Sequence, residues 1–256
     1  MELTSIIGPI LSIASILGGQ VLEGGHVSAI LQLTAAIIVF GGTFGASILS
    51  FNFSDLKIAG VYFLTIFSTP KEHPQDYVGI LVNFSGIARK EGILALQDRT
   101  TDVKNKFLKD AIDYTVDGYE PKAVLDIMER DIETMEEEMM VAAKVFESLG
   151  GYAPTVGILG AVLGLIHVME VMSNPAQIGE GIAVAFVATV YGVGSANLIF
   201  LPISSKIKRK AKGEVLLKEL ILKGVMCIQE GLNPRILENQ LNAFLEEKLR
   251  KSSFES

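Results

Sequence analysis

Residues 150–202, GGYAPTVGILGAVLGLIHVMEVMSNPAQIGEGIAVAFVATVYGVGSANLIFLP, decide how the chain is read. Two apolar runs, Tyr152–Met172 and Gly181–Leu201, flank a short polar turn. Each has about 21 residues, roughly 31 Å of helix, against a hydrocarbon core of about 30 Å. The pair reads as a transmembrane hairpin. Small residues recur three or four apart: Gly157, Gly160, Ala161 and Gly164 on the first helix, then Ala185, Ala188, Thr189, Gly192 and Ala196 on the second. That spacing lets helix backbones approach closely in a membrane, and plain helix packing is its simplest use. Pro154 and Pro202 sit near ends that should share one side of the membrane. Between them there is no Lys or Arg, and the ionisable side chains are His167, Glu170, Glu180 and Tyr191. No carboxylate falls at mid-depth, although intramembrane proton relays use one. If this hairpin lines an ion path, the titrating group comes from another polypeptide.

Outward from the hairpin, composition agrees. The chain is 49% hydrophobic and 20% charged over 256 residues, with mean hydropathy +0.42. That is too apolar for a soluble domain and too charged to lie wholly in lipid. Ser5–Val21 reads as a first span, ended by the turn Leu22–His26, and Val27–Ser50 as a second. No basic segment precedes the first apolar run, so a cleaved signal peptide is not expected. All 22 Lys and Arg fall in two segments, 11 within 51–150 and 11 beyond Leu201. This bias places the long loop, the tail and both termini in the cytoplasm. The basic run Lys206–Lys212 follows the last span directly and reads as an anchor on anionic headgroups.

The expected fold is therefore all-α: a polytopic membrane protein with four transmembrane helices and a helical cytoplasmic domain. Residues 1–50 form the first hairpin, 51–150 a cytoplasmic loop domain, 151–202 the second hairpin, and 203–256 cytoplasmic C-terminal helices. Within the loop, residues 56–69 are apolar but too short to span, and read as a helix on the membrane surface. Gln75–Arg99 looks helical with Gly86 and Gly92 as interruptions, and Asp102–Val116 is amphipathic. Pro121 suits a helix start, and 121–149 reads as an acidic stalk rising to the third span. After the fourth span the chain stays helical to about Gln229. Gly231 and Asn233-Pro234 break it before a last helix, Pro234–Leu249.

Several classes are excluded. A formal charge of −7 and no basic groove with interleaved aromatics argue against nucleic acid. No P-loop, dinucleotide fingerprint, nucleophile elbow or metal-ligand spacing appears, so neither an enzyme nor a cofactor is expected. The single Cys227 allows no internal disulfide.

Four patterns in order on this topology carry a resemblance over essentially the whole chain: LEGG (Leu22–Gly25), ARKEGILAL (Ala88–Leu96), APTVGILGAVLGLI (Ala153–Ile166) and NPRILENQL (Asn233–Leu241). The chain resembles the flagellar stator A-subunits of the MotA/PomA family. The resemblance implies a homo-oligomer, a pentamer, in the bacterial inner membrane. It surrounds a single-span B-type partner (MotB/PomB-like) whose Asp binds and releases the driving ion. It implies that the small residues of spans three and four leave room for that partner helix and a wet path. Pro154 and Pro202 would couple ion binding to movement at the cytoplasmic mouth. Arg89 matches the family's basic contact to the flagellar rotor switch-complex protein, with Lys90 and Glu91 beside it. Gln97 stands where the family's acidic contact usually falls, and Asp98, rotated about 100° on a helix, is an imperfect substitute. Sodium-driven relatives tend to carry a hydroxyl at the position of Ala161; the second hydroxyl position is Thr189. A dehydrated Na⁺ needs several oxygen ligands, so Ala161 favours H⁺, with Na⁺ the alternative. An ExbB/TolQ-like energy-coupling subunit, a passive channel or transporter, and a membrane scaffold are the competing readings. The first usually lacks the extra N-terminal hairpin, and the second should show broken mid-membrane helices.

Overall fold

The structure, a computed structural model, describes residues 2–69, 72–172 and 175–250. Among the described residues it is helical throughout, with no strand. Four helical segments are long and apolar enough to cross a membrane: Thr4–Leu22, Val27–Ser50, Pro121–Glu170 and Ile178–Gln229. The chain divides into two compact units. One holds the segment up to Thr69 together with Glu138–Lys210; the other holds the loop up to Glu137 and the chain from Ala211 onward.

In the spanning unit, α1 (Thr4–Leu22) is a plain helix. The second span is not. It opens with a 3₁₀ turn, Val27–Ile30, and passes through extended backbone at Leu31 and Gln32. It then runs as α2 (Leu33–Ala36), a π-helical turn Ile37–Gly41 and α3 (Gly42–Ser50). Irregular backbone at membrane depth needs partners. Tyr191 supplies them: its hydroxyl donates to the Ile30 carbonyl at 2.6 Å and accepts from the Gln32 N–H at 3.2 Å. Its ring stacks on Phe40, centroids 5.9 Å apart.

The surface segment is α4 (Phe53–Thr65), three residues earlier than the apolar run suggests, because Asn52 and Asp55 form a capping box at its start. It packs on the long helix through stacked Phe63 and Phe146. Phe53, Val61 and Leu64 remain exposed. Its last carbonyls are taken up by neighbours: the Glu2 N–H donates to Phe67 at 2.9 Å, the Ser5 hydroxyl to Ile66, and Lys210 Nζ to Thr65 and Ser68.

The stalk and the third span are one helix, α7 (Pro121–Glu170), 50 residues long. Gly150-Gly151 does not interrupt it. Likewise α8 (Pro175–Ser195), a π-helical turn Ala196–Phe200 and α9 (Leu201–Gln229) follow without a break.

The other unit has a conventional core. Leu81 of α5 (Pro74–Glu91), Leu96, Leu108 and Ile112 of α6 (Lys106–Val116), Leu220 and Ile228 of α9, and Leu237 and Leu241 of α10 (Pro234–Asn242) are all essentially inaccessible to solvent. Gly224 is needed there, since a Cβ would stand 2.6 Å from Leu81. Cys227 lies in this core with its thiol on Gln240 Oε1 at 3.2 Å, and burial pushes that thiol up. Asn105 caps α6, accepting from the Leu108 N–H at 2.9 Å, and its amide donates to Glu72. Burial, then Glu72, pushes the nearby Tyr77 hydroxyl up to about 12.

Two expected helices end early. α5 stops at Glu91 instead of Arg99, because Gly92 takes φ 89°, a conformation that turns the chain out of the helix. A 3₁₀ segment, Ile93–Asp102, follows. The last helix closes at Asn242 instead of Leu249; only a short 3₁₀ turn, Glu247–Leu249, comes after it.

Candidate functional site

The glycines of spans three and four face each other. A Cβ on Gly192 would stand 2.5 Å from the Ala153 carbonyl oxygen; one on Gly157, 2.9 Å from that of Ala188; one on Gly164, 2.9 Å from that of Gly181. Backbone meets backbone at these three glycines, a close approach that small residues allow. Gly157, Gly160, Gly164, Ala185, Ala188 and Gly192 are used up in packing the two spans together. Ala161 and Thr189 are half-buried at the border of the seam. The Thr189 hydroxyl donates to the Ala185 carbonyl at 3.2 Å, leaving its oxygen lone pairs to accept. Ile158, Val162, Leu165, Phe186, Val190 and Val193 stay exposed around it.

Both prolines lie at the same end. Pro154 is inside α7, where its ring denies a donor to the carbonyl four residues back, that of Gly150. Gly150 in turn meets Leu201, the neighbour of Pro202, at 2.6 Å from the place of a Cβ. Pro202 follows directly on the π-helical turn Ala196–Phe200. The wider turn answers the same steric problem, the proline ring against the preceding carbonyl. At this mouth two helices are in contact, and each lacks one backbone bond. The tyrosine staple at Tyr191 and the π-helical turns were not foreseen. A lone Tyr in an apolar run was the available signal for the first; of the two turns, Ala196–Phe200 is marked in the sequence only by Pro202 and Ile37–Gly41 by nothing.

The basic run after span four is largely occupied within the unit. Lys206 pairs with Glu2 at 3.0 Å and bonds the hydroxyls of Thr4 and Ser5; Lys208 pairs with Glu147 at 2.5 Å; Lys210 lies 3.5 Å from Glu2. Burial raises the Glu2 carboxyl, but Lys206 and Lys210 together outweigh it and leave the group below its ordinary 4.5. Three lysines of the run therefore staple the N-terminal segment, α4 and α7 to α9.

Arg89, Lys90 and Glu91 are exposed in the last turn of α5, and Gln97 and Asp98 are exposed on the 3₁₀ segment. All five lie in the second unit, within ten consecutive positions of the chain. Because the helix ends at Gly92, Gln97 and Asp98 do not share a helical face with Arg89; at three residues per turn, Gln97 lies on the same edge as Leu94.

Four segments long and apolar enough to cross a membrane, two of them joined by a glycine seam with a proline at the same end of each, define a polytopic membrane subunit. The MotA/TolQ/ExbB proton channel family model matches residues 99–220, and the motility protein A N-terminal model matches residues 6–92. The chain belongs to the motility protein A family of flagellar stator subunits, which are ion-channel components and not enzymes. It is 36% identical to motility protein A of Bacillus subtilis over 98% of this chain and 93% of that one. It is 32% identical to the chemotaxis protein PomA of Vibrio alginolyticus over 98% of both. Its fold superposes on the solved C. jejuni MotAB structure with TM-score 0.93, at 33% identity and covering 99% of this chain and 100% of the other.

Proposed function

We propose that this chain is the A-type subunit of a proton-driven stator in the bacterial inner membrane, with both termini cytoplasmic. It surrounds a single-span B-type partner in a homo-oligomeric ring, a pentamer. The carrying observation is the missing acid. Four spans and a charge-free hairpin interior supply a wall for an ion path but no group to bind the ion, and the relatives solved as MotAB complexes contain a second subunit.

The mechanism follows from the hairpin. When the partner's carboxylate changes charge beside spans three and four, the glycine seam moves as one body. The compliant points are the proline ends, where the Gly150 carbonyl and one carbonyl before Pro202 lack a donor. Since α7 is continuous, displacement at Pro154 passes along it toward the unit that carries Arg89 and Lys90, which dock on the rotor switch-complex protein. H⁺ as the driving ion is supported by Ala161, which offers no side-chain oxygen; the Thr189 oxygen, whose lone pairs stay free, is the one hydroxyl the Na⁺ alternative would use. The exposed apolar face of α4 suits a helix lying on the inner leaflet.

The test is deletion of the gene with filaments counted by electron microscopy. Normal filaments that do not turn, rescued by the wild type but not by Arg89→Glu, and rescued equally with Na⁺ removed, are expected. Unimpaired swimming in a strain with no second stator refutes the motor reading.

A further inference from the structure

The turn that follows α5 presents one large apolar side chain to solvent. Leu94 is 72% exposed, while Leu96 two residues on is fully buried and pins the turn to the core. The backbone around it is fixed. The Gly92 N–H donates to Ala88 at 3.0 Å and the Ala95 N–H to Gly92 at 3.2 Å. The buried Thr100 hydroxyl donates to the Gln97 carbonyl at 2.9 Å. Side chains three apart eclipse in a 3₁₀ helix, so Leu94 and Gln97 form one outward edge. Arg89 and Lys90 stand just before it in the last turn of α5, and neither makes an ion pair with a described residue. A single exposed leucine is ordinary. Held rigid, beside two unpaired cations and on one edge with a neutral amide, it has the layout of an interface anchor with a charged rim.

We propose that Leu94, with Gln97 beside it, is the apolar anchor of rotor docking, entering an apolar pocket on the rotor switch protein whose rim carries carboxylates facing Arg89 and Lys90. The inference rests on the docking reading above and deepens it. An acid at position 97 would contribute a long-range field; an amide contributes none. Attraction to carboxylates at a distance comes from Arg89 and Lys90, and the lifetime of the contact comes from desolvating Leu94. A rigid turn loses little conformational freedom on docking, which favours a small contact that must form and release repeatedly.

The test uses the whole stator, this chain with its B-type partner in lipid nanodiscs, and purified rotor switch protein from the same cell as probe. Association and dissociation are followed at about 50 and about 500 mM salt, on either side of strong screening. Leu94→Ala is expected to raise Kd about tenfold or more at both salt concentrations, through faster dissociation. Leu94→Met, which keeps the apolar volume, should stay within about threefold of wild type. Arg89→Gln should slow association at low salt and matter little at high salt. Wild-type affinity in Leu94→Ala overturns the anchor. So does loss of the ring itself in Leu94→Ala, which would assign Leu94 to a contact between copies of this chain. If Arg89→Gln weakens binding and Leu94→Ala does not, the anchor alone fails. If wild type does not bind and Arg89→Glu cells keep full torque, the docking reading fails and takes the anchor with it.

Discussion

A methyl group at Gly192 would sit 2.5 Å from the Ala153 carbonyl oxygen, whereas one at Gly194, two residues on, meets nothing within 4 Å. The contrast makes a clean prediction. Gly192→Ala must push two backbones apart, at about 1–3 kcal/mol or more, and should lower the unfolding temperature of the purified complex. Gly194→Ala should be neutral or slightly stabilising, since alanine is the better helix former by about 1 kcal/mol. Which small residues packed and which bordered the seam was not legible in the sequence: the spacing of Ala161 and Thr189 fits the same pattern as their neighbours, and only the contacts separate them. Glu2 offers a second test. Its folded pKa lies below the ordinary 4.5, so its contribution is complete above that value and is lost as pH falls through the lower folded value. Glu2→Gln should unfold at a lower temperature than wild type at pH 7, and the gap should narrow as the pH is taken below 4.5.

At the scale of the element, the spans were legible because length and absence of charge are set by the bilayer itself. Their interiors were not. Val27–Ser50 reads as one apolar run, yet its backbone changes type four times and depends on a tyrosine about 160 residues away, a long-range partner that local pattern does not encode. Composition reports the charge of the Lys206–Lys212 run and not its partners within the unit; Glu2 and Glu147 are distant in sequence. Gly92 was visible as an interruption, but its φ of 89° turned an interruption into the end of the helix and moved Gln97 onto the Leu94 edge. Pro202 and the π-helical turn before it lead to a prediction at this scale. Pro202→Ala returns one backbone donor to the fourth span and should stabilise the complex by about 1 kcal/mol. The same change stiffens the mouth, so stall torque measured on single tethered beads should fall although the protein is more stable. Equal or greater torque would mean that the weakened ladder at Pro202 has no part in the motion.

For the whole molecule the proposal to be tested is a division of labour between polypeptides. A proton entering the hairpin region finds His167 and Glu170 3.7 Å apart near the outer end of span three, then a seam of glycine and alanine with no carboxylate before the prolines. Carrying a bare charge through that apolar wall is prohibitive without a group to hold it. Lipid vesicles containing this chain alone should therefore conduct no protons under an imposed gradient. Vesicles made with the chain and its B-type partner should conduct once assembled, replacement of external Na⁺ should leave the flux unchanged, and changing the partner's membrane Asp to Asn should silence it. Flux from this chain alone would show that the path needs no borrowed acid. The glycine seam would then be the wall of a pore belonging to this subunit, and the partner an anchor only. The packing favours the first outcome: backbones in close approach at Gly157, Gly164 and Gly192 leave no lumen between spans three and four, which fits the proposed path along their outer face beside a partner helix.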